Sequence, residues 1–363
     1  MIREIFKKYK VEIEILSPLF IGSGEEWYPN DYIKKEDQIF LIDFDKLFNL
    51  CHERKIDFLN IIRNEKFFSK ITPSQGKKTQ GFDIKKFIDF YKIPVSHIVE
   101  RKLSLKWNHK RGFRESFPSI KQFIKDNNGN YFIPGSSLKG CLRTLYLWDY
   151  LRKRPQLKKF SLIKENNLKK IKKKKDADKK FQKQIESNID PLFQKFRISD
   201  FYFTNSQIAI IQVFRGKIFQ FIEVIERGRA EGEIWIEKKG SNTDELNGFL
   251  LNYFQKISKE FLFSLSKTKN KTTKLQMRIL TGGKVSSLKE NEMIIRIGFG
   301  KGFDFSTVGG WIKEELGKGG IKFWFKKINI RNLKTVYDFP LTFWKTFDER
   351  PLGWIKLTFK EKN

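Results

Sequence analysis

The chain has 363 residues, with 73 lysines and arginines against 42 acidic residues, so its formal net charge is +31 at pH 7. Hydrophobic residues make up 39% of the chain and aromatic residues 15%, which excludes a disordered protein and allows a substantial core. Such a charge excess attracts polyanions and is typical of nucleic-acid-binding proteins. A general bias of the sequence towards lysine is the alternative source of the charge.

Cysteine usage and hydropathy restrict the compartment. Cys51 and Cys141 are the only cysteines, so no disulfide framework is available, which fits a reducing environment. Residues 1–16 are charged throughout and contain no apolar signal segment, and no apolar run approaches the length of a membrane span. We therefore expect a cytoplasmic protein with no membrane partner.

The first predicted strand lies near the N-terminus. Residues 10–16 (KVEIEIL) alternate apolar and polar side chains, which predicts a half-buried strand, and Gly22-Ser23-Gly24 predicts the turn that follows it. Residues 25–130 are less regular, with a strand predicted at 38–42 and a helix at 45–53. We interpret 25–130 as an insertion before the next regular element.

That element spans residues 131–146, YFIPGSSLKGCLRTLY, and predicts a strand, a turn and a helix that begins near Ser137 and continues to about Arg152. Lys139 and Arg143 lie close to the positive end of the helix, where cations are unfavourable. The helix start carries no acid or glutamine for a capping box. We therefore expect an RNA phosphate to bind there. The alternative is an ordinary helix start whose cations extend into solvent.

A basic segment follows this helix. Residues 153–190 contain few large apolar side chains and a block of four lysines at 172–175. Like charges repel one another, so this composition predicts a flexible insertion. It is either a solvated surface loop or an arm that adds phosphate contacts.

The second half of the chain predicts mostly strands. Residues 244–265 predict a second amphipathic helix. The pairs Arg227-Gly228 and Glu231-Gly232 predict turns between strands. The predicted strands are 196–204, 208–214, 220–225, 232–237, 293–297 and 354–359.

This order predicts an α+β fold with a ferredoxin-like core, the scaffold of RNA-recognition domains, interrupted by large insertions. Residues 1–24 and 131–303 form the predicted core. Residues 304–363 form a C-terminal extension that is predicted to pack on it.

A glycine-rich loop follows the strand predicted at 293–297. Its sequence, GFGKGFDFSTVGG, matches neither the GxxxxGK[ST] loop nor the GxGxxG dinucleotide pattern. Arg296, Lys301 and the neighbouring phenylalanines alternate charge and ring, as in an RNA-contacting loop. The alternative is a set of turns with β-bulges.

Four segments together resemble the RAMP superfamily of CRISPR-associated proteins: GSG at 22–24, IPGSSLKGCLRT at 133–144, ISD at 198–200 and IGFGKGF at 297–303. Within that superfamily, length and motif order are most similar to the fifth Csm subunit of type III-A effector complexes. The resemblance implies a subunit that caps the backbone filament near the 3′ side of the guide. It implies CRISPR guide RNA and other effector subunits as partners, especially the repeated backbone subunit.

Motifs and resemblance together give one set of candidate RNA-binding residues. They are Gly22, Ser23, Gly24, Gly135, Ser136, Ser137, Lys139, Gly140, Arg143, Arg296, Gly298, Gly300, Lys301 and Gly302.

The sequence predicts no catalytic residue, metal or cofactor. His52, His97 and His109 lie in different contexts, and no zinc-ligand spacing occurs. In the resembled superfamily, the RNA-cutting backbone subunit uses an aspartate in a loop at a broadly similar place to Asp31. We interpret Asp31 as a turn aspartate.

We therefore predict a binding and assembly subunit. One alternative is a metal-independent ribonuclease that processes guide RNA, in which lysine or tyrosine replaces histidine as the proton-transferring group. The other alternative is the repeated backbone subunit, or the end subunit of a related complex.

Overall fold

The computed structural model describes residues 6–63, 65–71, 79–108, 118–153, 194–216, 218–237, 243–266, 288–300 and 344–361. The fold is mixed α+β and is dominated by one sheet. The helices are α1 (Phe44–Glu53), α2 (Phe58–Ile62), α3 (Ile84–Phe90), α4 (Gly135–Arg152) and α5 (Thr243–Ser266), with 3-10 turns at Glu65–Phe67 and Val95–His97. The strands are β1 (Phe6–Ile15), β2 (Gly22–Trp27), β3 (Tyr32–Lys35), β4 (Gln38–Ile42), β5 (Phe68–Ile71), β6 (Thr79–Phe82), β7 (Val99–Lys106), β8 (Ile120–Phe123), β9 (Phe132–Ile133), β10 (Phe196–Ile198), β11 (Phe201–Arg215), β12 (Ile218–Glu237), β13 (Glu292–Arg296), β14 (Lys345–Thr346) and β15 (Trp354–Glu361).

The main sheet runs in the order β13-β15-β1-β12-β11-β7-β4-β3. Its central strand, β1, buries Val11 and Ile13 on one face, as the alternation in the sequence predicts. Helices α4 and α5 cover that face and meet through the rings of Trp148 and Phe261, whose centroids lie 5.2 Å apart. The predicted β1, α4 and α5 are therefore confirmed.

Strands β11 and β12 form one long hairpin, and the turns predicted at Arg227-Gly228 and Glu231-Gly232 are wrong. The glycines serve close packing instead. A Cβ atom on Gly232 would lie 2.6 Å from the Phe201 ring, and one on Gly228 would lie 2.5 Å from the Asn205 carbonyl oxygen. The sheet therefore needs glycine inside a continuous strand.

The C-terminal strand lies inside the sheet. β15 pairs with β1 on one side and β13 on the other. Trp354, Ile355 and Leu357 are buried in the main core. Residues 354–361 are thus part of the sheet, whereas the sequence had assigned them to an extension packed on the core.

Residues 25–130 extend the sheet and also build a core of their own. Strands β3, β4 and β7 continue the sheet beyond β11. Helices α1 to α3 bury a separate cluster that includes Leu47, Phe58 and Phe87. The predicted strand at 38–42 and the predicted helix at 45–53 are confirmed, the latter as α1.

A buried glutamate joins this region to the sheet. Glu223 of β12 is 0% exposed; it accepts hydrogen bonds from the Phe123 N–H group (2.9 Å) and the Tyr131 hydroxyl. It also pairs with Lys125 (3.3 Å) and Arg101 (3.5 Å). Burial lowers the pKa of the Lys125 ammonium, and the charge of Glu223 opposes that shift. One carboxylate therefore fixes β7, β8 and the start of β9 against β12.

Replacing Glu223 with alanine should destabilise the protein strongly, because two cations would lose a shared buried partner. The expected loss is about 3–5 kcal/mol of unfolding free energy, measured by urea denaturation. Glu231→Ala, on the same strand as Glu223, is the matched control. It removes an exposed ion pair with Lys10 of β1 and should change stability little. Equal effects of the two substitutions would contradict the assignment.

Candidate nucleic-acid interface

Helix α4 starts in direct contact with another chain segment. A Cβ atom on Gly135 would lie 2.3 Å from the carbonyl oxygen of Ile198 and 2.5 Å from that of Ser199. Only glycine allows this approach. The Gly135 N–H group donates to Oδ1 of Asp200 at 2.8 Å. The helix therefore begins at Gly135, about one half-turn before the predicted start.

Asp200 supplies the anion that the helix start itself lacks. Its carboxylate lies 65 residues away in sequence but occupies the positive end of α4. An anion from elsewhere in the chain therefore already lies at the helix start, and phosphate binding there stays a prediction. Sequence reasoning missed Asp200 as a site residue, although the missing capping-box acid was a signal that an anion had to come from elsewhere.

Lys139 also has a partner within the protein. Its Nζ atom donates to the carbonyl oxygen of Phe196 in β10 at 2.9 Å. Lys139 therefore anchors α4 to the sheet, and its predicted contact with an RNA phosphate stays a prediction. Ser136 and Gly140 are exposed on the same helix, and Arg143 and Ser137 are half-buried.

Arg296 is a structural residue. Its side chain is buried, with the residue only 3% exposed. Its Nε atom donates to the Leu352 carbonyl oxygen (2.7 Å) and its Nη2 atom to that of Gly300 (2.8 Å). The Cys141 thiol of α4 donates to the Arg296 carbonyl oxygen (3.3 Å). Within the chain, the Arg296 guanidinium therefore has a structural role, and its predicted contact with RNA stays a prediction.

Residues 298–300, the described part of the glycine-rich loop, pack on the chain that precedes the GSG segment (residues 22–24). The turn predicted at 22–24 is wrong, because these residues begin strand β2. Gly298 has a φ of +72°, and a Cβ atom there would lie 2.4 Å from the Phe20 carbonyl oxygen. The Phe299 N–H group donates to that same oxygen at 2.8 Å. The rings of Phe20 and Phe299 meet edge to face, with centroids 5.7 Å apart. Gly298 and Phe299 therefore lie against the chain two residues before Gly22.

These contacts connect three of the predicted segments. The Cys141 thiol links α4 to Arg296, and Arg296 in turn binds Gly300. Phe299 binds Phe20, which lies just before the GSG segment. The GSG residues are exposed, and no atom lies within 4 Å of a Cβ built on Gly24. Lys301 and Gly302, like residues 154–193 of the basic insertion, lie outside the described residues.

Ion pairs neutralise the sheet face opposite the helices. On this face Lys10 pairs with Glu231 (2.6 Å) and Lys356 with Glu14 (2.9 Å). Cross-strand pairing of this kind depends on register, which composition does not reveal. These strand lysines are therefore not free surplus charge.

Asp31 closes a turn. Its Oδ2 atom accepts a hydrogen bond from the Tyr28 N–H group at 2.6 Å, as expected of a turn aspartate. Burial raises the pKa of this carboxyl group, and the Tyr28 hydrogen bond partly opposes the shift. Among the described residues, no group of three or more histidine, cysteine and acidic side chains is placed to hold a metal ion. No helix in the described ranges is long and apolar enough to cross a membrane.

The sequence profile of the RAMP superfamily matches residues 12–347. The chain therefore belongs to the RAMP superfamily.

More specifically, the chain is similar to CRISPR system Cms protein Csm5 of Methanocaldococcus jannaschii, with 26% identity covering 97% of this chain and 89% of the relative. The protein of the same name from Streptococcus thermophilus is 24% identical over 39% of this chain and 38% of its own length.

Two solved structures share the fold. The crystal structure of T. onnurineus Csm5 superposes with a TM-score of 0.59 and 17% identity, covering 95% of this chain and 99% of that one. A chain of the cryo-EM structure of a Csm–crRNA–target RNA ternary complex of a type III-A CRISPR–Cas system gives a TM-score of 0.60 and 18% identity, covering 97% and 100%.

Two glycines of α4 should respond oppositely to alanine. Gly135→Ala should destabilise the protein by about 1–3 kcal/mol, because the new methyl group meets two backbone carbonyls. Gly140→Ala, where no atom lies within 4 Å of the new Cβ, should stabilise it by up to about 1 kcal/mol through helix propensity. Urea denaturation measures both. Stabilisation by Gly135→Ala would contradict the close approach of α4 to Ile198.

Proposed function

We propose that this chain is the RNA-binding structural subunit of a type III-A CRISPR effector complex, a cytoplasmic ribonucleoprotein of antiviral defence. It caps the backbone filament near the 3′ side of the guide RNA and supports guide maturation. One observation carries the proposal. Direct contacts link the chain beside the GSG segment, helix α4 and residues 298–300 of the glycine-rich loop, in a protein of net charge +31.

We infer that the core is ferredoxin-like. The chain order β1, α4, β11, β12, α5, β13 matches the plan strand, helix, two strands, helix, strand. β15 is an additional strand between β13 and β1. Residues 1–24 and 131–303 form this core in our proposal, and 25–130 and 153–190 are insertions into it.

The linked segments suit a phosphate backbone better than base edges. Gly22, Ser23, Gly24, Ser136 and Gly140 are exposed and small, so a sugar–phosphate chain can approach the protein backbone closely at these positions. Contacts of this kind fix the position of RNA without reading its sequence. A subunit that holds guide RNAs of any sequence needs contacts of this kind.

The similar proteins support the partners. The chain of similar fold in the Csm–crRNA–target RNA complex comes from an assembly that contains guide RNA and other Csm subunits. We therefore propose CRISPR guide RNA and the subunits of a type III-A complex as partners, with the repeated backbone subunit as the direct neighbour. The use of Asp31 within its own turn supports a binding rather than a catalytic role.

Single-stranded RNA binding should weaken steeply as salt rises, with a log–log slope of about 0.7 for each phosphate neutralised. Arg143→Gln should make that slope shallower. Lys139→Gln in the same helix is the comparison: it should lower stability through the lost bond to Phe196 and reduce the slope less than Arg143→Gln does. Fluorescence anisotropy over a salt series measures both variants. A flat response of the wild type would contradict the proposed function.

Repeat RNA incubated with the purified protein in EDTA should remain intact on a denaturing gel. Discrete cuts that increase with protein concentration would favour the ribonuclease alternative instead.

A further inference from the structure

Two aromatic rings stack on the surface beside the start of α4. Tyr202 of β11 is 45% exposed, and its ring lies against that of Phe132 of β9, with centroids 5.7 Å apart and planes inclined by 28°. The two residues are paired across neighbouring strands. Among the described residues, Tyr202 is one of the few exposed aromatic side chains that also contact another ring.

The outward direction of these rings is fixed by their neighbours in sequence. Phe201 is fully buried, with its ring over Gly232, and Ile133 is fully buried in the same core. Because successive side chains of a strand point to opposite faces, Tyr202 and Phe132 must face away from that core. The pair is therefore held rigidly and needs no rearrangement to meet a ligand.

The pair is close in sequence to the start of α4. Tyr202 lies two residues after Asp200, whose carboxylate accepts a hydrogen bond from the first N–H group of α4, and Phe132 precedes Gly135 by three positions. The rings face away from α4, so an RNA strand bound at the helix start reaches them by passing the end of β9.

A row of charges continues across the sheet from the rings. Glu231 lies directly across from Tyr202 and pairs with Lys10, and Arg229 and Lys360 lie 3.6 Å and 3.3 Å from Glu12. Glu233 also acts on Lys10, so three cations meet three acids and this face is close to neutral.

We propose that Tyr202, supported by Phe132, is a stacking platform for one unpaired base of the bound RNA. This inference rests on the proposed function and extends it from phosphate contacts to a base contact. Aromatic rings bind bases of any sequence because every base has a π-face. Aromatic side chains on a sheet face bind RNA bases in this way in RNA-recognition domains.

A protein partner fits this surface less well. Stable protein interfaces bury roughly 800 Å² on each side around an apolar centre. Here one exposed and one partly buried ring lie beside an ion pair, which is far less apolar surface than such an interface uses.

The test uses single-stranded RNA oligonucleotides with 2-aminopurine placed at successive positions. Stacking on the wild-type protein should quench the fluorescence at one position at least. Tyr202→Phe keeps the ring and should keep the quenching. Tyr202→Ala should abolish the quenching at that position and weaken RNA binding about fivefold to 150-fold. The salt slope should stay unchanged, because no charge is altered.

Phe48→Ala is the matched control, since Phe48 is similarly exposed, at 44%, but lies in the region 25–130. It should leave quenching and affinity unchanged. Thermal melts should show that Tyr202→Ala remains folded, because its side chain is half exposed.

Equal quenching and affinity for Tyr202→Ala and wild type would overturn the platform while leaving the proposed function in place. No quenching at any position in the wild type would overturn it as well. Normal RNA binding by Tyr202→Ala, with loss of this subunit from the assembled complex, would instead identify a protein contact. Failure of the proposed function is recognised separately, by a salt-independent wild type.

Discussion

The buried guanidinium of Arg296 is the contact on which the candidate site depends. A cation removed from water is costly unless its donors are satisfied, and Arg296 uses the carbonyl oxygens of Leu352 and Gly300. The Trp354 ring lies 5.8 Å from the guanidinium carbon and adds a cation–π contact. Since its own carbonyl accepts from Cys141, one residue connects β13, the glycine-rich loop, the C-terminal segment and α4.

The site therefore requires both ends of the chain. The Gly353 N–H group donates to the Pro18 carbonyl oxygen (2.9 Å), and the Ile297 N–H group donates to that of Gly353 (2.8 Å). Gly353, just before the C-terminal strand β15, thus joins Pro18, which precedes the GSG segment, to Ile297, which precedes the glycine-rich loop. A fragment covering only the motif-bearing residues 131–303 would lack these contacts. This dependence explains why a tail without a recognisable motif is integral to the fold.

Local pattern was enough to predict β1, α4 and α5, because their apolar periodicity records which face is buried. It was not enough for Gly228 and Gly232, since a glycine that ends a strand and one that makes room for Phe201 look alike in sequence. The same limit applied to Arg296 and Lys139. A cation in a glycine-rich motif resembles an RNA ligand. The carbonyl oxygens of Leu352 and Phe196, which bind Arg296 and Lys139, lie 56 and 57 residues away in sequence, so no local pattern reveals them. Asp200 was missed for the same reason, because it lies 65 residues from the helix start that it binds.

The central claim is that the GSG segment, the exposed face of α4 and the glycine-rich loop act as one RNA-contacting surface. Hydrogen–deuterium exchange of the full chain, with and without single-stranded RNA at low salt, tests it most directly. We predict that residues 22–24, 136–143 and 298–300 gain protection together at the same RNA concentration. Protection confined to the lysine-rich residues 158–180, with the three segments unchanged, would contradict the claim.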